Sequence, residues 1–364
     1  IGTGFMGKAH ALAYRAAGAV FGDLPQVRLA RLCDTPREKA EAMARQFGFD
    51  GATDDWHDLV TSPDVDIVSI TTPNALHKEM ALAAIAAGKH VHCEKPMALT
   101  LKDAAEMEAA ARKAGVRTIV GYNYIHNPAF AHARRLIADG VIGRPVHFRG
   151  IVDEDYQADP ELAWTWRAKR ADAGLGTLGD LGCHLVSMAC GLMGPVESLL
   201  ADTQIIHETR PLADGSGRAA VENEDAASSI LRFASGAQGT LVTSRSAWGR
   251  KNRLDLEAHG TRGLIGFSQE RMNEIQLFVD EGERSRQGFR TILTGPEHPP
   301  YGAFCPAAGH QLGFGDLKTI EVASFLRAIA DGSPNHPDFT AALSFEAVIH
   351  AIDTSAREGR RVHL

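Results

Sequence analysis

Ile1-Gly2-Thr3-Gly4-Phe5-Met6-Gly7 opens the chain, and its G-x-G-x-x-G spacing decides how the first third of the sequence is read. In such a turn the first glycine allows a tight exit from a strand. The second lets backbone approach a pyrophosphate, and the third lets the next helix pack closely on the sheet. The helix N-terminus then offers unpaired N–H groups and partial positive charge to phosphates. The motif alone is weak: 36 of the 364 residues are glycine, and a glycine-rich turn without a ligand has the same pattern.

The residues downstream support it. Lys8–Ala17 is Ala-rich and proline-free, a helical composition. Val27–Cys33 reads as a strand, and Asp34 comes directly after it, where a carboxylate would accept from the adenine ribose hydroxyls. Gly7 and Asp34 lie further apart than the usual spacing of about 20 residues; a loop over Ala19–Pro25 accounts for the excess. An acid here repels a 2′-phosphate and favours NAD over NADP, although Arg37 nearby pulls the other way. Val65–Ile70 is a buried-type strand ending in Thr71-Thr72-Pro73-Asn74 and His77, the ligand edge of a parallel sheet. A helix over Ala81–Ala87 stops at Gly88. The strand Lys89–Cys93 delivers Glu94-Lys95-Pro96. A helix over Leu101–Ala114 ends at Gly115, and the strand Arg117–Val120 leads into Gly121-Tyr122-Asn123-Tyr124. This alternation is that of a doubly wound parallel sheet.

Composition narrows the class. The chain is long enough for two domains and, at 44% hydrophobic residues, can bury substantial cores. A net charge of -7 with no basic run argues against nucleic acid. No stretch approaches the ~20 continuous apolar residues of a membrane span. Five cysteines without C-x-x-C spacing read as reduced thiols of a cytoplasmic protein, with too few clustered ligands for a zinc set; no catalytic metal is expected. The chain lacks an initiator methionine and begins at what reads as the last residue of a first strand, whose earlier residues are expected to lie outside this sequence.

The texture changes from Pro145. Val146–Val152, Glu197–Ile206, Ala226–Phe233, Gly236–Ser244, Arg253–His259, Gly263–Phe267 and Glu274–Val279 all read as strands of a large, mainly antiparallel sheet. Helices over Ile320–Ile329 and Ala341–Arg357 come after them. The expected division is a Rossmann domain over residues 1–122 and an α+β domain over 123–364. Within the second lies Gly179-Asp180-Leu181-Gly182-Cys183-His184. Asp180 and His184 stand at i and i+4, on one face if the segment is helical. A histidine titrates near neutrality and suits a general base, with a carboxylate one turn away to orient it. A helix-capping Asp beside a satisfied, half-buried His is the plainer alternative.

Three markers together, the opening fingerprint, Glu94-Lys95-Pro96 and Gly179–His184, resemble the glucose–fructose oxidoreductase / inositol dehydrogenase (Gfo/Idh/MocA) family along essentially the whole chain. The resemblance implies an NAD-dependent dehydrogenase that oxidises a secondary hydroxyl of a cyclic polyol or pyranose. It implies catalytic roles for Lys95, Asp180 and His184. The cofactor would meet Gly2, Thr3, Gly4, Phe5, Met6, Asp34, Thr35, Arg37, Thr71, Thr72, Pro73, Asn74, His77, Glu94, Lys95 and Arg167. The substrate would meet Lys95, Asn123, Tyr124, Glu154, Arg167, Asp180, His184 and His310. Asp153–Tyr156, Ala158–Pro160, Trp164–Arg167 and Gly309–Gly315 are similar to the branch acting on scyllo-inositol and L-glucose, near the levoglucosan dehydrogenases. Homo-oligomers, dimers or tetramers, through the open sheet are also implied. An NAD-dependent glycosidase of the same fold and a non-catalytic nucleotide-binding sensor are the rival readings; retention of Lys95, Asp180 and His184 argues against the sensor.

Overall fold

A computed structural model describes residues 1–364. Residues 1–126 form helices α1 (Phe5–Val20), α2 (Arg37–Phe47), α3 (Trp56–Thr61), α4 (His77–Ala86) and α5 (Leu101–Ala114), and strands β1 (Arg31–Cys33), β2 (Gly51–Thr53), β3 (Ile67–Ile70), β4 (His90–Cys93) and β5 (Thr118–Val120). Residues 127–312 add α6 (Pro128–Ala138), β6 (Pro145–Asp153), α7 (Arg170–Ala173), α8 (Cys183–Met193), β7 (Val196–Gln204), β8 (Thr209–Pro211), β9 (Arg218–Ala220) and β10 (Ala226–Phe233). They continue with β11 (Gln238–Ser244), β12 (Arg253–Gly260), β13 (Gly263–Ser268), β14 (Glu274–Val279), β15 (Arg290–Leu293) and α9 (Tyr301–Phe304). The chain closes with α10 (Phe314–Asp331), α11 (Phe339–Glu358) and β16 (Val362–His363).

Contacts divide the chain into two units, one of residues 1–126 with 313–346, the other of 127–312 with 347–364. This differs from the expected division into 1–122 and 123–364. The reason is packing: α10 buries Val322 and Leu326 against Ala13, Tyr14 and Ala17 of α1, a long-range pairing that no local pattern encodes.

The first unit holds two parallel ladders, β1–β2 and β3–β4–β5. Ile1 and Gly2 bridge them. Gly2 N–H donates to Cys33 O at 2.9 Å, while Ile1 N donates to Ser69 O at 2.7 Å and Ile1 O accepts from Thr71 N–H at 2.9 Å. Of the expected strand Val27–Cys33, Arg31–Cys33 forms the ladder with β2, and Leu29 O and Ala30 O accept from Asp50 and Gly51 N–H just before it. Local signals set α5: Thr100 accepts the Asp103 N–H at its start, Arg112 and Lys113 fill the last turn, and Gly115 at φ 69° ends it.

The second unit is built on a nine-stranded sheet of order β15-β14-β13-β12-β6-β11-β10-β7-β16, in which only β11–β6 is parallel. β15 and β16 escape a sequence reading because both are short edge strands. One sheet face packs on α6 and α8, with Phe130 and Phe267 in edge contact at 6.2 Å. The other face leaves Leu200, Ile230 and Val242 of adjacent strands open to solvent. Arg170–Met193 has the length and mean hydropathy of a membrane span, yet it is 83% buried, as a core segment is. It is not a continuous apolar run, since it carries Arg170, Asp172, Asp180 and His184.

Candidate functional site

In the first unit the site begins at the glycine turn. A Cβ on Gly7 would lie 2.2 Å from Gly2 O, and one on Gly2 would lie 2.7 Å from Thr71 O, whereas one on Gly4 would meet nothing within 4 Å. The outer glycines are therefore needed for internal packing, and the middle one faces open space where a ligand can press against backbone. Gly4 caps α1 without any side-chain hydrogen bond, so the first N–H groups of the helix point into that space. A pyrophosphate fits this cradle.

At the end of β1, Asp34 Oδ2 accepts from Thr3 N–H at 2.9 Å, from the Thr3 hydroxyl and from Lys39 Nζ at 3.0 Å. Oδ1 accepts only from Thr35 N–H at 2.7 Å among these contacts, and keeps an acceptor direction for a ribose hydroxyl. Burial alone would push this carboxyl up, but the Thr3 and Lys39 hydrogen bonds outweigh it and hold Asp34 below the ordinary carboxylate value. Arg37 faces Glu41 at 3.1 Å and Asp54 at 3.7 Å, so its guanidinium is already balanced by acids. Lys39, which the sequence reading missed, is the cation that meets Asp34.

The loop after β3 is a brace for this turn. Thr71 Oγ1 donates to Ile1 O and Gly2 O, and Thr72 Oγ1 faces Met80 Sδ at 3.7 Å. His77 is buried with Nδ1 2.9 Å from Pro96 O and Nε2 3.0 Å from Thr72 O. Both ring nitrogens are thus engaged by carbonyls. His77 lies between Thr72 and Pro96 with each ring nitrogen turned to a carbonyl oxygen, so it offers no polar atom to a ligand. Pro73 and Asn74 open the short helical turn Asn74–Leu76 that precedes α4.

β4 and β5 are parallel neighbours, with Cys93 paired to Val120, so Glu94-Lys95 and Asn123-Tyr124 emerge at the same sheet edge. Asn123 is buried and its Nδ2 has no partner within the chain, an orphan donor of the kind a bound hydroxyl satisfies. Glu94 is not placed to touch a ligand: it is 4% exposed, with Oε1 2.8 Å from both His10 Nε2 and Lys318 Nζ. Burial pushes its carboxyl up, and the Lys318 charge and the His10 hydrogen bond reverse this to hold it well below the ordinary value. His10, His92 and Glu321 cluster as metal ligands would, but Lys318 Nζ already lies 2.7 Å from Glu321 Oε1. The cluster carries its own cation.

In the second unit a cavity of about 290 Å³ is lined by Glu154, Tyr156, Gln157, Thr165, Arg167 and Asp180. Asp180 stands in a five-residue π-turn, Leu178–Gly182, that runs directly into α8. The segment is helical as expected, but its first turn is wider than an α-turn, closing from Cys183 N–H to Leu178 O. Glu224 anchors its start, accepting Thr177 N–H at 2.9 Å and Leu178 N–H at 3.0 Å. Tyr156 donates its hydroxyl to Asp180 Oδ2 at 2.5 Å. Burial, reinforced by the Asp180 charge, keeps this phenol protonated, well above its usual range. His184 lies on the first turn of α8 and is 7% exposed. Arg167 lies over the Trp166 ring at 4.5 Å, with its carbonyl fixed by Asn223 Nδ2 at 2.9 Å.

The structure thus gathers Glu154, Arg167 and Asp180 around one cavity and adds Tyr156, Gln157 and Thr165, which the sequence reading did not name as contacts. Their signal was local, since all three lie in the polar segment 154–167. His310 is not among the lining residues: it sits in an exposed loop with Nδ1 3.3 Å from Ala307 O.

Residues 1–122 match the model of the oxidoreductase family with an NAD-binding Rossmann fold, and residues 130–266 match the Gfo/Idh/MocA C-terminal domain. The chain belongs to the Gfo/Idh/MocA oxidoreductase family. It is 38% identical to levoglucosan dehydrogenase of Pseudarthrobacter phenanthrenivorans, covering 98% of this chain and 95% of the relative. A solved structure of levoglucosan dehydrogenase in complex with NADH and L-sorbose superposes with a TM-score of 0.97 at 38% identity, covering 100% of this chain and 96% of that one. The scyllo-inositol 2-dehydrogenase (NAD(+)) of Bacillus subtilis is 26% identical over 97% of this chain and 93% of its own, a weaker likeness than the levoglucosan enzyme. The first unit is therefore an NAD-binding Rossmann domain, and the chain is an NAD-dependent oxidoreductase of a family acting on sugars and polyols.

Two measurements check this site. An acid at the end of β1 that meets the adenine ribose predicts that kcat/KM with NAD exceeds that with NADP by at least about tenfold, about 1.4 kcal/mol, and that Asp34→Asn narrows the ratio; equal native values would remove Asp34 from cofactor selection. The second concerns Glu346, a buried carboxyl that accepts Met97 N–H at 2.7 Å and that burial raises to about 7 from 4.5. Its folded form binds the proton more tightly than its unfolded form, so its contribution to native stability falls as pH rises from about 4.5 to 7 and is level above. Glu346→Gln should therefore match the native stability near pH 4.5 and exceed it at pH 8, by about 3 kcal/mol; a difference that stays constant across pH would refute this.

Proposed function

We propose that this enzyme oxidises one secondary hydroxyl of a pyranose or anhydropyranose, with cyclic polyols such as scyllo-inositol as secondary substrates. The cavity of the second unit carries the reading. Its lining is three charged and three neutral hydrogen-bonding side chains with no aliphatic residue, suited to a polyhydroxylated ring. The likeness to levoglucosan dehydrogenase over nearly the whole chain supports an anhydrosugar over an inositol.

Bound NAD+ supplies the hydride acceptor. His184 takes the hydroxyl proton as the carbonyl forms, a role its family position implies. Asp180, held by Tyr156, orients the substrate and supports the charge His184 acquires. Lys95 steadies the oxygen as negative charge develops on it, an interaction stronger in the transition state than in the ground state. Arg167 and Glu154 fix the ring, so that an inverted hydroxyl leaves a buried polar group unpaired, which is costly. The open face bearing Leu200, Ile230 and Val242 is the surface through which copies of the chain would associate.

NADH formation followed by absorbance across levoglucosan, inositols and L- and D-hexoses tests the reaction class. Release of a free sugar without net NADH would make the protein a glycosidase instead. His184→Ala should lower kcat by about 10²–10⁴-fold with little change in NAD affinity. A folded variant retaining more than about a tenth of native kcat would exclude His184 as the base.

A further inference from the structure

Next to Lys95, around Glu94, lies a buried cluster of ionisable side chains. Lys318, near the start of α10, is fully buried, with Nζ 2.8 Å from Glu94 Oε1 and 2.7 Å from Glu321 Oε1. Glu321 Oε1 also lies 2.9 Å from His92 Nε2, and His92 Nδ1 meets Tyr14 Oη at 3.1 Å. His10 stacks on His92 at 4.1 Å; its Nε2 faces Glu94, and its Nδ1 faces Ser69 Oγ at 2.7 Å. Glu94 Oε2, finally, accepts the backbone N–H of Lys95 at 3.1 Å. Space for this carboxylate is reserved across the sheet, since a Cβ on Gly121 would lie 2.4 Å from Glu94 Oε1.

Three donors converge on Glu94: the His10 ring, the Lys318 ammonium and the Lys95 amide. An ionised carboxylate accepts all three, whereas a protonated one would carry an O–H that needs an acceptor of its own among these donors. Keeping it ionised in a dry interior requires a neighbouring cation. His10 cannot be that cation, since burial, with His92 and Lys318 beside it, lowers its pKa to about 3. Lys318 is the cation in direct contact, and it also balances Glu321.

We propose that Lys318 is a positioning residue for catalysis: through Glu94 it fixes the backbone of Lys95, and so the placement of the Lys95 side chain on the substrate oxygen. The proposal rests on the role given to Lys95 above. A buried ion network of this kind, which hydrophobic residues of similar volume could replace at no loss of stability, then has a function in the reaction. Its contribution is geometric, transmitted from α10 to the end of β4.

The test separates positioning from stability. Lys95→Ala, Lys318→Met, Glu321→Gln and the charge-balanced double variant Lys318→Met/Glu321→Gln are compared for Tm, NADH Kd by fluorescence, and kcat and KM for the best sugar substrate. Glu321→Gln, which removes the charge paired with Lys318 but leaves the Glu94 chain intact, should lower Tm with kcat within about twofold of native. Variants lacking Lys318 should lose about 10–10²-fold in kcat with NADH Kd within about threefold, the scale expected of a misplaced catalytic group. Native-like kcat in either folded variant lacking Lys318 overturns the proposal. So does a kcat loss in Glu321→Gln as large as that in Lys318→Met, or a double variant that fails to fold while Glu321→Gln folds; Lys318 is then a stability residue. Native-like kcat in Lys95→Ala would instead refute the underlying role of Lys95.

Discussion

Gly7 has no room for a side chain: a methyl group there would lie 2.2 Å from Gly2 O. That contact sets the distance between α1 and the backbone that joins the two parallel ladders, and much of the first unit is referenced to it. The same helix then reaches in two directions. His10, one turn further, enters the ionic interior under Lys95, while Ala13, Tyr14 and Ala17 receive α10. A close approach that Gly2 and Gly7 permit therefore decides where the phosphate cradle lies and, through shared packing, where the far end of the chain returns to the first sheet.

How much of this was legible depends on how local the cause is. Leu101–Ala114 reads correctly to the residue because its Thr cap, basic last turn and glycine stop are all within the segment. Ala226–Phe233 and Glu274–Val279 also read correctly, since each has one face in the core and alternates accordingly. Of Val27–Cys33 only Arg31–Cys33 joins a ladder, since pairing depends on the separate segment Gly51–Thr53. The placement of α10 was invisible, being a matter of contacts with the opening helix.

The site divides the same way. Asp34 is legible from its place at a strand end, and the polar segment 154–167 announces its hydrogen-bonding capacity. Glu94 and His77 both hold other groups in place: one links the Lys95 backbone to a buried cation, the other lies between two loops. Motif position gives proximity to a ligand, and only side-chain direction distinguishes touching it from holding what touches it. Lys318 has no signal at all, because its partner Glu94 lies 224 residues away.

The wide turn Leu178–Gly182 has an evolutionary consequence. A π-turn is an α-helix with one residue more than the regular turn requires, and each residue of an α-helix advances the side chains by about 100°. Deleting Leu181 or Gly182 would restore a regular helix at no loss of hydrogen bonds, yet it would turn Asp180 relative to α8 and away from the Tyr156 hydroxyl it now accepts from. Ordinary helical propensity and the chemistry of the cavity thus pull in opposite directions over five residues. Length changes should be tolerated in the exposed loops of this unit long before they are tolerated in this buried stretch.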